Sequence, residues 1–502
     1  MQPDNRSIPR VAIAGGGLAG LTCAKVLADA GLPVTLVEAF PMLGGRASTF
    51  RDQDGDWIEQ GLHLFHGGYS EFRRLLADIG RPPREILYFT DFLRFEAPDG
   101  PRATFGTNPL FSPLRTLRGV FGNNDYLGPL AKLALLPMVA PAALPMATLQ
   151  RRFDDRTVTE LWRQVSGSSQ VLERVLRPFC RAIQFTDADQ FSAYDFLGWV
   201  HQTLIRPLRA RLGGYNGSRD EIIFRPFAEY LQRGGVEIRT GVEVREIGYD
   251  AEKRRINGFG LAGGERLVAD LYVVALPQWI FADKLPAALR ELPFFAELAA
   301  LPVAPAISVQ LWFDRVVTDH DGYVMVPYSH TPVYQDQARR TYPYAKGSRI
   351  SVIVSPADEM LDWDDDAIAL HVTSVLGRAN PKIAAAAVRK RVVIKHPRHL
   401  IRPLPGAMSR RPGQATPIGN LFLAGDWTQQ DFFGSQEGAV RGGNACGRAI
   451  LRSTGLAATG PREIALVRVT EKTSLMGETT RETRSVVLPI EARGEIRTLA
   501  LD

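Results

Sequence analysis

Gly15, Gly17 and Gly20 stand in GxGxxG spacing inside GGGLAG, and Glu38 follows eighteen residues after Gly20. Those residue types at that spacing can hold a dinucleotide. The first glycine permits a tight turn, the second lets backbone approach a pyrophosphate, and the third lets a helix pack close to a strand. Leu18 and Ala19, between the glycines, are counted with them as cofactor-binding. The carboxylate of Glu38 is expected to accept from ribose hydroxyls. Just past it, FPMLGGRAST places Gly44, Gly45 and Arg46, a second glycine turn and a cation that can approach the same phosphates. Far downstream, Gly425 and Asp426 follow the apolar run LFLA.

The elements that must carry these residues are legible around them. VAIA (Val11 to Ala14) is an apolar run of strand length, LTCAKVLADA reads as a helix ending at Gly31, and VTLVE is a second strand ending in Glu38. Strand, glycine turn, helix, strand and acid in register predict a Rossmann-type unit. Leu421 to Ala424 predict another strand, with Gly425-Asp426 at its carboxyl end, where ligands of open α/β sheets bind. The helix expected from about Glu437 carries Gly438, Gly442, Gly443 and Gly447. Glycine costs a helix close to 1 kcal/mol per residue, so either a flavin-like ring or a close neighbour is expected against its backbone. Ser70 to Ile79 has Phe72, Leu75, Leu76 and Ile79 at helical spacing, with Gly80 after it, and is read as core.

At 502 residues the chain exceeds one hydrophobic core. Its 45% hydrophobic and 23% charged residues are those of a globular protein. A net charge of +6 without a polybasic block argues against nucleic-acid binding and allows weak attraction to anionic lipid. Cys23, Cys180 and Cys446 are too few and too scattered for a disulfide framework or a zinc site. The N-terminus lacks an apolar signal core, and a cytoplasmic protein with peripheral contact on the inner face of a membrane is expected.

GG-R after the acidic strand resembles the flavin monooxygenase and amine oxidase superfamily, which implies FAD rather than NAD. AGDWTQQDFFGSQEGA resembles the C-terminal motif of the plant and cyanobacterial type carotene desaturases, AG-(D/S)-(Y/W)-T-x-Q-x5-S-x-E-G-A. Further segments are similar to that family: DWIEQGLHLFHGGYSEFRRLLADIG, AIQFTDADQFSA, VQLWFDR, and RGGVEIRTGVEVREI, in which Val244 is implied to lie by the adenine. Together they span roughly residues 10 to 455. The resemblance implies a cofactor-binding part for Gly425, Asp426, Glu437, Gly438 and Ala439. It also implies desaturation of a C40 carotene, phytoene or ζ-carotene, with hydride transfer from an allylic carbon to flavin N5 and reoxidation by a quinone. Phytoene desaturases of this kind carry Glu-Arg-Leu where this chain has Glu221-Ile222-Ile223, and GSRDEIIFRP with Gln430-Asp431 is closer to the ζ-carotene branch. RRPGQATPIGNLFLAGDWT is similar to bacterial hydroxysqualene dehydroxylases, the alternative reading along with a flavin amine oxidase. A flavin-free binder resembling the GDP dissociation inhibitors is opposed by the intact glycines, Glu38, Arg46 and Asp426.

Desaturation of a polyene spreads developing charge over conjugated bonds, so few acid-base residues are expected, and no G-x-S-x-G, HExxH or paired-cysteine site is present. Alignment of one carbon with the flavin in a dry tunnel should carry the rate. No metal is expected at His63 and His66, which lack a third ligand nearby. The resemblance puts His63 near the flavin, in a positioning role or as a structural histidine. Glu437, at a helix N-terminus, is expected to be a cap or cofactor anchor rather than a base.

The two halves of the cofactor site enclose more than three hundred residues, so the FAD domain must be discontinuous, in an α/β fold of mixed type: residues 1–105, 215–275 and 405–455. Residues 106–214 form a helical, membrane-facing substrate region, 276–404 a substrate domain of strands and helices, and 456–502 an extension with short strands and no assigned role. LALLPMVAPAALPMATL (133–149) has no charge and has prolines at 137, 141 and 145. It cannot be a regular spanning helix. Its two readings are a buried core segment and short helices dipping into one leaflet.

Overall fold

The computed structural model describes residues 8–107, 113–204, 211–430, 432, 434–456, 463–473 and 479–489. Asp431, paired above with Gln430, lies outside them, as do residues 457–462, 474–478 and 490–502 of the C-terminal extension.

A five-stranded parallel sheet underlies the glycine motif. β1 (Val11–Ala14) is central, flanked by β2 (Val34–Glu38) and then β3 (Glu237–Thr240) on one side, and by β4 (Leu271–Val274) and then β5 (Leu421–Leu423) on the other. Both faces are covered, which is why β1 reads as an unbroken apolar run. Val11 and Ile13 face a core shared with α1 (Leu18–Asp29) and α3 (Gln436–Ser453), with α2 (Ser70–Asp78) beyond it. Ala12 and Ala14 face a second core shared with the antiparallel strands Val244–Asp250 and Arg255–Leu261.

The glycines of α3 serve close packing. A Cβ on Gly443 would strike Ala19 O and Thr22 of α1, one on Gly447 would strike Val26, and one on Gly442 would strike Gly425 O. The neighbour that the sequence called for is, at these three positions, protein.

A seven-stranded sheet forms the second layer, in the order 388–401, 303–313, 349–354, 333–336, 323–325, 92–96 and 102–106. Here the expected boundary at residue 105 is corrected. The hairpin Phe92–Glu96 with Arg102–Gly106 hydrogen-bonds to Tyr323–Met325, so it belongs to this sheet and not to the cofactor sheet. Tyr334 Oη donates to Glu96 at 2.6 Å, tying the hairpin down from within. In the extension, Glu463–Thr473 pairs antiparallel with Thr479–Pro489, giving strands of eleven residues rather than short ones.

The uncharged stretch becomes short helices broken at its prolines: Pro129–Leu133, Leu136–Met138, Val139–Ala142 and Met146–Phe153. No single described helix is long and apolar enough to cross a membrane, and the pair Pro129–Ala142 and Met146–Phe153 is bent by 111°. The helices divide between core and surface. Met138, Ala142 and Leu149 are core, whereas Leu130 (82% exposed), Leu133 and Leu136 stand in solvent. The adjacent helix Pro113–Phe121 adds exposed Leu114, Leu117 and Phe121. A run of large apolar side chains left outside is costly in water and marks a contact surface.

Candidate active site

At the carboxyl ends of β1 and β2 two glycine turns meet. Gly15 has φ 110°, which a side chain would resist, and a Cβ on Gly20 would collide with Gly15 O, so the turn and the helix start interlock. Gly44 (φ 110°) and Gly45 (φ 55°) make the second turn. It is bridged to the first by Gly44 N donating to Gly16 O at 2.9 Å and by a parallel bridge between Gly17 and Gly44. Leu18 and Ala19 begin α1 directly behind this junction.

Glu38 closes the adenosine end. Its carboxylate accepts from Gly16 N at 2.7 Å and Phe40 N at 2.9 Å, which leaves acceptor capacity for two ribose hydroxyls. Burial pushes its carboxyl up from the usual range, against those two N–H groups. Val244 shares the core on this side with Val37, while Val242 N donates to Glu38 O.

The second half of the site is joined to the first by Arg46. Its Nη2 donates to Asp426 Oδ1 at 2.5 Å and its Nη1 to His399 O at 2.6 Å. Arg411, buried, donates to Phe432 O at 2.9 Å and Gln430 O at 3.0 Å, which shapes the loop after Gly425-Asp426. Arg46, Gln278, Arg411, Asp426 and Trp427 line a narrow pocket at this junction. Gln278 is 2% exposed, and among the described residues its Nε2 meets no acceptor. A buried amide donor left unpaired costs about 1–3 kcal/mol, so a ligand acceptor suits this wall. Two glycine turns at helix and sheet ends, a carboxylate with free lone pairs and an unpaired donor fit FAD.

Glu437 is a cap, one of the two roles expected for it, but of a different helix. Ser435 caps α3, accepting from Gly438 N at 3.1 Å. Glu437, fully buried, accepts from the backbone of Ser70 and Glu71 at 3.1 Å and of Phe72 at 2.9 Å, and from Arg441 Nε at 2.9 Å. Its carboxylate thus caps the N-terminus of α2, where the free N–H groups and the helix dipole favour an anion. Gly438 and Ala439 lie in the first turn of α3, and any cofactor contact there falls to backbone.

His63 donates from Nδ1 to Gly61 O at 2.7 Å, and Tyr323 Oη donates to His63 O at 3.1 Å. His66 is a core residue, accepting from Gly68 N at 3.1 Å and meeting Thr203 Oγ1 at 3.3 Å. Sequence reasoning missed two further histidines. His396 and His399, at the end of the strand 388–401, lie with ring centroids 4.8 Å apart and tilted by 46°, and His396 Nε2 donates to Gln60 O at 2.7 Å. All three rings are held below the ordinary histidine value by burial first, opposed at His63 and His396 by their carbonyl partners. The charge of Arg46 pushes each of them further down. Only a HxxH spacing in KHPRHLI could have flagged the pair, and it has no fixed meaning on a strand.

Comparison with known proteins agrees with this geometry. The sequence profile of the family described as flavin containing amine oxidoreductase matches residues 18–451. The chain is 30% identical to 15-cis-phytoene desaturase of Synechococcus elongatus over 454 residues, 88% of this chain and 96% of that one. It is 29% identical to a probable ζ-carotene desaturase of the same organism, covering 89% of this chain and 100% of the relative. In fold it resembles the crystal structure of an oxidoreductase from Methanosarcina mazei, with a TM-score of 0.67 at 15% identity, over 88% of this chain and 100% of that one. The chain belongs to the flavin-containing amine oxidoreductase family, and it is an FAD-dependent oxidoreductase.

Proposed function

We propose that the protein desaturates a C40 carotene of the phytoene or ζ-carotene type, taken from a lipid bilayer, and passes the electrons to a quinone. The observation that carries this reading is similarity along nearly the whole length of carotene desaturases, at 30% and 29% identity. Exposed Leu114, Leu117, Phe121, Leu130, Leu133 and Leu136 support it, because a C40 hydrocarbon must be collected from lipid. Exposed Arg115 and Arg118 beside them suit anionic headgroups and a peripheral attachment to one leaflet. Within this reading Ile222 supports the ζ-carotene branch. It is buried and apolar where the phytoene enzymes carry an arginine, and its backbone O accepts from Arg81 Nε at 3.2 Å.

FAD supplies the hydride acceptor. Glu38 and the two glycine turns would hold it, and Arg46 with Asp426 would fix the junction between the two halves of its site. Buried Trp427 and Phe432 exclude water around the pocket, so that orientation does most of the catalytic work. The test is anaerobic bleaching of FAD-loaded protein in liposomes by 15-cis-phytoene, di-cis-ζ-carotene, hydroxysqualene or an amine, each alone, followed by a quinone. Bleaching by ζ-carotene and recovery with quinone is the expected result. Bleaching by phytoene alone overturns the branch, and bleaching by hydroxysqualene or an amine alone overturns the carotene reading.

A further inference from the structure

Two adjacent backbone carbonyls fix the tautomers of two histidines. Gly61 O is 2.7 Å from Nδ1 of His63, and Gln60 O is 2.7 Å from Nε2 of His396. A carbonyl oxygen only accepts, so each of those nitrogens carries a hydrogen. In the neutral ring the other nitrogen is then a bare acceptor: Nε2 on His63 and Nδ1 on His396. Among the described residues neither bare nitrogen meets a donor.

The surroundings keep the rings neutral. Burial acts first on His63, then the charges of Arg219, Arg46 and any charge on His396 repel a proton. His399 packs against His396 at a tilt, and Asp426 stands across Arg46, its charge already matched by that guanidinium. Such a ring is a weak base that is always ready. After a hydride has left a polyene, the hydrogen on the next carbon is strongly acidic, so readiness counts for more than basicity.

We propose that His63 Nε2 takes the proton lost from the substrate carbon adjacent to the one that gives up hydride, and that half-buried His396 leads that proton to solvent. The proposal rests on the desaturase reading. One C–H bond breaks with its electron pair going to the oxidised flavin as hydride. The neighbouring C–H bond breaks, its pair becomes the new C=C bond, and its proton bonds to Nε2. The imidazolium so formed returns to neutral when the proton leaves past His396.

The experiment uses FAD-loaded full-length protein. Long-range ¹⁵N–¹H NMR of the imidazoles should find His63 Nε2 unprotonated from pH 6 to 8; a proton on Nε2 overturns the proposal. His63→Gln should slow anaerobic bleaching about 100-fold or more, the usual worth of a general base, with FAD affinity by fluorescence unchanged. Wild-type bleaching should fall at acid pH as His63 protonates, whereas His63→Gln should show no such limb. Bleaching by His63→Gln within about threefold of wild type, with the same pH profile, overturns it. If His63→Gln fails to load FAD, His396→Gln decides. A pH dye should then report proton release lagging behind bleaching, and release in step with bleaching, as in wild type, overturns the proposal. Should no carotene bleach the wild type, the desaturase reading fails and the proton role falls with it, an outcome distinct from any variant's result.

Discussion

Arg46 and Asp426 are 380 positions apart in the chain and 2.5 Å apart in the folded protein, joined across the two halves of the cofactor site. Asp426 is 7% exposed at its side chain and Arg46 29%. Removing the cation strands a buried carboxylate, which costs 3–5 kcal/mol when fully buried and less with partial solvent access. Arg46→Ala should lose about 2–3 kcal/mol in urea unfolding of the FAD-loaded protein. Asp426→Asn should lose less, because an amide oxygen still accepts from Arg46. A loss below about 0.5 kcal/mol for Arg46→Ala would mean that solvent screens the pair.

Glu38 makes FAD affinity depend on pH. Its carboxyl is raised by burial in the free protein, and hydroxyl donors favour the ionised form, so bound FAD lowers it again. Affinity is therefore full above the raised pKa and falls as pH drops through it. Fluorescence titrations from pH 8 downward should show this. Glu38→Gln should weaken binding about 10- to 100-fold and remove the pH dependence.

Glu437→Gln should destabilise the protein by about 1–3 kcal/mol, because one amide oxygen cannot serve three backbone donors and Arg441. Hydrogen exchange should rise at Ser70, Glu71 and Phe72 before it rises elsewhere. Exchange rising first within α3 would instead assign Glu437 to its own helix.

Gly443→Ala should cost about 1–3 kcal/mol, since the added carbon meets backbone of α1 that cannot move aside cheaply. Gly413, with open space around it, is the control, and Gly413→Ala should stay within about 0.5 kcal/mol of wild type in thermal melts.

Changing exposed Leu130, Leu133 and Leu136 to Ser should abolish flotation with anionic liposomes and leave the melting temperature unchanged. Met138→Ser, at a core position, should lower melting instead. Equal flotation of the triple variant and wild type removes the membrane-contact reading.

The cofactor cradle was legible because it is local: a strand-length apolar run, glycines at turn positions and an acid ending the next strand all lie within Val11 to Glu38. Arg46 was legible as a cation near phosphate, but its bond to Asp426 was not, because it depends on β5 arriving beside β4. His396 and His399 were invisible for a similar reason. They come near His63 only when the strand 388–401 ends over the segment 60–63, and no spacing within one segment records that. The hairpin 92–106 misled because its partner, 323–325, is over two hundred residues away. Glu437 looked like a cap of its own helix since sequence position favours that, whereas tertiary packing turned it toward α2.

The strand order of the cofactor sheet has a consequence for biosynthesis. β1 and β2 leave the ribosome well before β5, Asp426 and α3. At about 5–20 residues per second, the interval between Glu38 and Asp426 is on the order of 20–80 s. During that time the face of α1 that Gly443 and Gly447 will cover is bare, along with the open side of β4. The nascent chain must shield this surface or have it shielded by a chaperone, and FAD can be gripped from both sides only once α3 has emerged.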